Sequence, residues 1–189
     1  MPRAGLSTAT VIERAADLLD AHGAESLNLA DVAASFDVRI PSLYKHVDGV
    51  RGLQRGIMLR AKSDLAETIS HAAVGRSRED AIRRISAAYR DWAVQHPGQY
   101  PLTVRAPAPD DADDVAVSAS LVDVIFTVLG GYDLRDDDAV DATRFLRSAL
   151  HGFVSLETSG AFELPVDRER SFAKLVDSVV TALAAWAHA

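Results

Sequence analysis

Helical spacing runs through almost the whole chain, and strand alternation through almost none of it. In "LADVAASF" the apolar residues Leu29, Val32, Ala33 and Phe36 stand at i, i+3, i+4 and i+7, the repeat of one buried helix face. The same spacing links Ile12, Ala15, Ala16 and Leu19, then Leu53, Ile57, Ala61, Leu65 and Ile69, then Ile82, Ile85, Tyr89 and Trp92. Two long stripes close the chain. One carries Phe145, Leu146, Ala149, Leu150, Phe153 and Leu156; the other carries Phe172, Leu175, Val176, Val179, Leu183 and Trp186. Faces patterned this way are buried only by packing helix on helix, so the expected fold is all-α, with about nine helices.

Punctuation along the chain sets the boundaries. A first helix is expected over about 8–21, ended by His22-Gly23. Asn28 is a natural cap for the second, with Asp31 placed to complete a capping box and Leu27 and Val32 placed as a hydrophobic staple. After a short turn over 37–40, Pro41 opens a third helix ending near Val47, where Asp48-Gly49 breaks the pattern. A long fourth helix follows to about Ala73. Ser77 and Asp80 predict another capping box, and "HPGQYP" ends the helix that follows. The acidic, Pro-rich stretch 105–114 reads as an exposed loop, with three further helices over about 115–130, 136–158 and 168–187.

Several function classes are disfavoured. No run of eighteen apolar residues exists, the start "MPRAGLSTAT" lacks the apolar stretch of a secretory signal, and Cys is absent. A cytoplasmic protein without membrane association is expected. No G-x-S-x-G, P-loop or dinucleotide fingerprint appears, so no catalytic residue or cofactor is assigned. The six His are scattered without helical pairing, and the acids of "DLRDDDAVD" suit a helix start better than a calcium loop, so no metal is expected.

The net charge of −7 is unevenly spread. Residues 1–62 hold eight Lys and Arg against seven Asp and Glu, whereas residues 63–189 hold twelve against twenty. The acidic excess belongs to the later part, and nucleic acid remains a possible partner for the first.

Helix 29–36, a turn and helix 41–47 have the arrangement of a helix-turn-helix, whose second helix enters the DNA major groove. Val38, Leu43 and Val47 are the inward residues. Arg39, Ile40, Pro41, Ser42, Tyr44, Lys45 and His46 point outward or sideways. Lys45, Tyr44 and His46 suit phosphate oxygens; Arg39 suits guanine, and Ile40 a thymine methyl. The helix start at Asn28 offers N–H groups to a further phosphate. A plain solvated helix face is the alternative for Tyr44, Lys45 and His46.

"VIERAADLLDAHGAESLNLADVAASFDVRIPSLYKHVDGVRGL", with "PSLYKHV" its most specific part, resembles the DNA-binding domain of the TetR-like transcriptional regulators. "HGFVSLE" at 151–157 resembles a W/L-H-G-F-x-x-L-E signature in the C-terminal domain of one subgroup. The likeness implies a DNA-binding domain over 1–48 and a helical effector and dimerisation domain over 49–189. It implies a homodimer joined through the two C-terminal helices, double-stranded operator DNA as partner, and a small-molecule effector whose binding releases a repressor. Arg3 would belong to a basic arm, and Arg51 would stand in for a phosphate-contacting Lys that the family often has where this chain has Val50. The family also often has Gly where this chain has Asp37, and Ser or Thr where it has Arg39. Candidate effector contacts are Tyr89, Trp92, Tyr100, Phe126, Phe145 and Phe153. The rival reading is an all-helical small-molecule binder or enzyme with a vestigial helix-turn-helix.

Overall fold

A computed structural model describes residues 6–23 and 27–186, and every regular element among them is helical. The order is α1 (Thr8–His22), α2 (Leu29–Ser35), a 3-10 helix (Ile40–Lys45), α3 (Gly49–Ala73), α4 (Arg78–Gln95), α5 (Tyr100–Thr103), α6 (Ala112–Gly130), α7 (Asp136–Thr158) and α8 (Arg168–Trp186).

Two apolar cores meet on α3. Val11, Ala15, Ala16 and Leu19 of α1 pack with Leu29, Val32 and Ala33 of α2, Leu43 of the 3-10 helix, and Leu53 and Ile57 of α3. Further along the same helix, Ala61, Leu65 and Ile69 enter a second core built from α4, α6, α7 and α8. At about 1.5 Å per residue the 25-residue α3 spans about 37 Å, long enough to serve both.

Local chemistry explains the element ends. Ser7 caps α1 in a reciprocal capping box with Thr10. The Asn28 side chain accepts from the Asp31 N–H at 2.9 Å, and its amide donates to the Asp31 carboxylate at 2.8 Å. Ser77 precedes α4 without a side-chain capping bond, so the capping box expected there does not form; the acids Glu79 and Asp80 of the first turn complement the helix dipole instead. The third helix is a 3-10 helix rather than an α-helix, with Pro41 in its first turn. This six-residue element connects α2 to α3, the kind of short connector in which 3-10 turns are frequent.

Asp37 closes α2 in a conformation that explains the family's usual Gly. Its φ is +54°, its N–H donates to the Ala34 carbonyl at 3.1 Å, and the Val38 N–H reaches the Ala33 carbonyl at 3.1 Å. This is a Schellman ending with Asp37 at the left-handed position, where Gly carries no Cβ penalty and Asp is among the better-tolerated alternatives.

The stretch 105–114 is an exposed loop over 105–110, as expected, and its last residues enter α6. Asp111 caps α6 by accepting from the Asp114 N–H, and its carboxylate takes two bonds of 2.6 Å from Arg55. Asp114 is buried against Lys62. Asp111, Asp113 and Asp114 of this acidic run are tied to Arg55 and Lys62 on α3, which sequence spacing alone does not reveal.

Candidate nucleic-acid interface and internal cavity

The outer face of the 3-10 helix and the start of α3 form one surface. Arg39, Ile40, Pro41, Tyr44, Lys45 and Arg51 are exposed, Tyr44 at 60%. Ser42 and His46 are half-buried, and the His46 carbonyl accepts from the Thr8 hydroxyl at 3.2 Å, which ties this face to the start of α1. Leu43 and Val47 are buried and Val38 half-buried, matching their inward assignment. The Asn28 side chain is engaged with Asp31, and Arg3 lies outside the described residues.

Ion pairing sorts the cations of this region. Arg14 pairs with Asp17, Arg55 with Asp111 and Asp113, Arg60 with Glu13, and Lys62 with Asp114. Among the described residues no carboxylate pairs with Arg39, Lys45 or Arg51. The cations of this region that carry no ion pair are therefore gathered on the face of the helix-turn-helix, where the exposed carboxylates of Asp37 and Asp48 are also without ion pairs.

A cavity of about 420 Å³ lies between α3, α6 and α7. Its walls are mainly aliphatic: Leu65 and Ile69 from α3, Leu121 and Ile125 from α6, Leu146 and Leu150 from α7. Lys62, Arg105, Arg147 and Asp123 bring charge to the lining. Lys62 donates to Asp114 at 2.5 Å and to the Ser118 hydroxyl at 3.0 Å. Burial would raise the Asp114 carboxyl, but the Lys62 ammonium and the Ala108 N–H outweigh it and hold the group below its ordinary value.

Of the six aromatic candidates for effector contact, only Tyr89 lines this cavity. Trp92 donates to Asp64 at 2.8 Å, tying α4 to α3. Tyr100 bonds the Tyr89 hydroxyl at 2.8 Å and His151 Nδ1 at 2.7 Å, and burial pushes its hydroxyl pKa up. Phe145 packs against Trp186 with tilted rings, Phe153 packs between Phe162 and Phe172, and Phe126 is 37% exposed. The physical reason is size: large rings fill the contacts between helices, and the space is left where aliphatic side chains meet. Thr103, Arg105 and Arg147 were missed because charged and small polar residues carry no periodic signal.

Polar joints hold α1 to the end of α4 and the turn after it. Asp20 of α1 accepts from the Gly98 and Gln99 N–H groups at 2.9 and 3.0 Å, and its second oxygen meets His96 Nδ1 at 2.8 Å. A Cβ on Gly98 would collide with the Leu19 carbonyl, so this close approach requires glycine. Within the bundle, buried Arg90 forks onto Glu157 at 2.7 and 2.8 Å and reaches Glu169 at 2.7 Å. The two polar ends of "HGFVSLE" thus have structural partners: His151 on Tyr100, and Glu157 on Arg90.

An α-helical bundle with a cavity, carrying a helix-turn-helix on a shared long helix, defines a class of one-chain DNA-binding regulators. The tetracyclin repressor-like C-terminal domain profile matches residues 82–179. A Mycobacterium tuberculosis protein described as the uncharacterized HTH-type transcriptional regulator Rv0681 is 34% identical over 174 residues, 92% of this chain and 79% of that protein. BioQ, solved with its double-stranded DNA operator, superposes with a TM-score of 0.69 at 22% identity, covering 96% of this chain and 99% of BioQ. The Streptomyces coelicolor TetR family protein ActR, solved in complex with (S)-DNPA, gives 0.72 at 16% identity over 96% of this chain and 98% of that one. The chain belongs to the TetR family of transcriptional regulators.

Proposed function

We propose that the chain works as a homodimeric repressor that docks on a palindromic operator and is released by a small molecule held in the cavity. The observation that carries the DNA-binding part is the gathering of Arg39, Lys45 and Arg51, without ion-pair partners, on the exposed helix-turn-helix face. Tyr44, Lys45 and His46 then grip phosphates, while Arg39, Ile40 and Ser42 face bases. Pro41 sets the turn, Arg51 serves a further phosphate, and Arg3 extends the contact from the arm. Asn28, already bonded to Asp31, contributes to that contact only through its helix start.

The coupling follows from α3. Residues 1–48 lean on its first turns through Leu53 and Ile57, whereas Lys62, Leu65 and Ile69 of residues 49–189 line the cavity. A ligand that shifts the cavity wall moves the helix against which the DNA-binding unit packs, so operator and effector oppose one another reciprocally. The dimer is supported by apolar side chains of α7 and α8 that the internal core leaves accessible: Phe145 and Leu175 are half-buried, and Leu156 and Trp186 are 48% and 39% exposed. Regulation in the cytoplasm, with no catalysis, fits relatives described as transcriptional regulators and the absence of any described helix apolar enough to cross a membrane.

The test is binding of the purified chain to labelled fragments of its own upstream region by fluorescence anisotropy over a salt series. Specific binding that weakens steeply with salt is expected. Absence of binding to any fragment at low salt would sink the proposal.

A further inference from the structure

We infer that the effector is an apolar monoanion, most simply a carboxylic acid, whose acid group sits between Arg105 and Arg147 while its body fills the cavity. The inference rests on the cavity being the effector site. The body must be apolar, because α3, α6 and α7 present Leu, Ile and Val side chains to it. At about 420 Å³ the cavity lies within the size range of small-molecule sites.

The sign of the head group follows from the charge balance of the lining. Lys62 is neutralised by Asp114 and contributes no net field. Arg105 carries no side-chain hydrogen bond or ion pair among the described residues. Arg147 is also without a carboxylate; its one bond, 2.8 Å from Nη2, goes to the neutral Val104 carbonyl. That bond brings the Arg147 guanidinium next to the backbone of Arg105, and both residues line the cavity. Against these two stands the single carboxylate of Asp123. Charges set beside an apolar cavity repel a cationic ligand and favour a planar anion that accepts from the guanidinium fork. A carboxylate entering such a space without a cation would be strongly disfavoured.

The experiment compares phenylhexanoate, phenylhexanol and phenylhexylamine, one apolar body with an anionic, neutral or cationic head, with dodecanoate as a linear acid. Binding to the intact chain is measured by isothermal titration calorimetry. The acids are expected to bind at least about tenfold more tightly than the alcohol, and the amine more weakly than either. In the double variant Arg105→Gln/Arg147→Gln the acid falls to the level of the alcohol, whose own binding is unchanged; Arg147→Lys alone keeps part of the preference. Leu121→Trp, which fills the cavity, removes binding of acid and alcohol together while circular dichroism reports a retained fold.

An alcohol that binds as tightly as the acid, with both lost in Leu121→Trp, leaves the cavity as the effector site and overturns the anion. Acid binding that survives Leu121→Trp places the acid elsewhere and overturns the cavity reading together with this one. Binding by none of the four compounds overturns both.

Discussion

The Lys62 ammonium and the Asp114 carboxylate meet at 2.5 Å with side chains only 4% and 3% exposed, fastening the middle of α3 to the first turn of α6. Each charge is compensated there chiefly by the other, with the Ala108 N–H and the Ser118 hydroxyl as further partners. Lys62 also lines the cavity and donates to Ser118 of its wall, so the helix that supports the helix-turn-helix is part of the cavity wall and is bonded to α6 beside it.

Replacing Lys62 by Met strands a buried carboxylate and is expected to lower unfolding free energy by about 3–5 kcal/mol. The double change Lys62→Met/Asp114→Leu removes both charges and recovers most of that loss. Urea denaturation of the three proteins measures the difference. Equal destabilisation by the single and double changes would mean that the pair contributes packing rather than charge compensation.

Acid should loosen the same seam. The bonds from Arg55 hold the Asp111 carboxyl down to about 2 from its ordinary 3.8. A carboxyl lowered by folding contributes stability above its unfolded value and loses it as pH falls through its folded value, so the loss runs from about pH 4 to about pH 2. Thermal melts across this range are expected to fall, and Arg55→Gln, which lets Asp111 return toward its ordinary value, should make the chain less stable above pH 4 and flatten the fall.

On DNA, Lys45→Ala is expected to weaken binding to all sequences alike and to reduce the salt slope by about 1, as loss of one phosphate contact does. Arg39→Ala should instead relax base preference at one operator position, costing about 1–3 kcal/mol there. Anisotropy titrations on specific and scrambled fragments separate the two. An unchanged affinity for every fragment in Lys45→Ala would contradict the proposed docking face.

Asp37 offers a test of backbone conformation against charge. At φ +54°, Asp37→Gly should leave the chain about 1 kcal/mol more stable than Asp37→Ala, because the alanine Cβ is strained there. Both changes remove a carboxylate next to the DNA face, so both are expected to tighten DNA binding to a similar degree. Calorimetric melting reads the first effect and anisotropy the second.

How much of this was legible differs between fold and site. Apolar periodicity is a property of each helix alone, so it located all the long helices and the inward residues Leu43 and Val47 before any contact was known. The outward face of the helix-turn-helix was legible for the same reason: a short helix that buries Leu43 exposes Tyr44 and Lys45. In sequence Asp37 stands where the family often has Gly, and its backbone conformation gives the reason for that preference.

The sequence by itself determined the class of fold, the helix-turn-helix and the membership that "PSLYKHV" and "HGFVSLE" signal, because these rest on local spacing and on residue types at fixed offsets. Only the tertiary structure decided which cations stay free and where the empty space lies. Lys62 and Asp114 are 52 residues apart, and Arg90 and Glu157 are 67 apart. Nothing in local spacing couples such residues; their pairing follows from how the helices cross. The cavity is likewise set by where aliphatic walls fail to meet: of the six aromatic candidates Tyr89 lines it, Trp92, Tyr100, Phe145 and Phe153 contact other side chains, and Phe126 is exposed, while Arg105 and Arg147 stand in the lining.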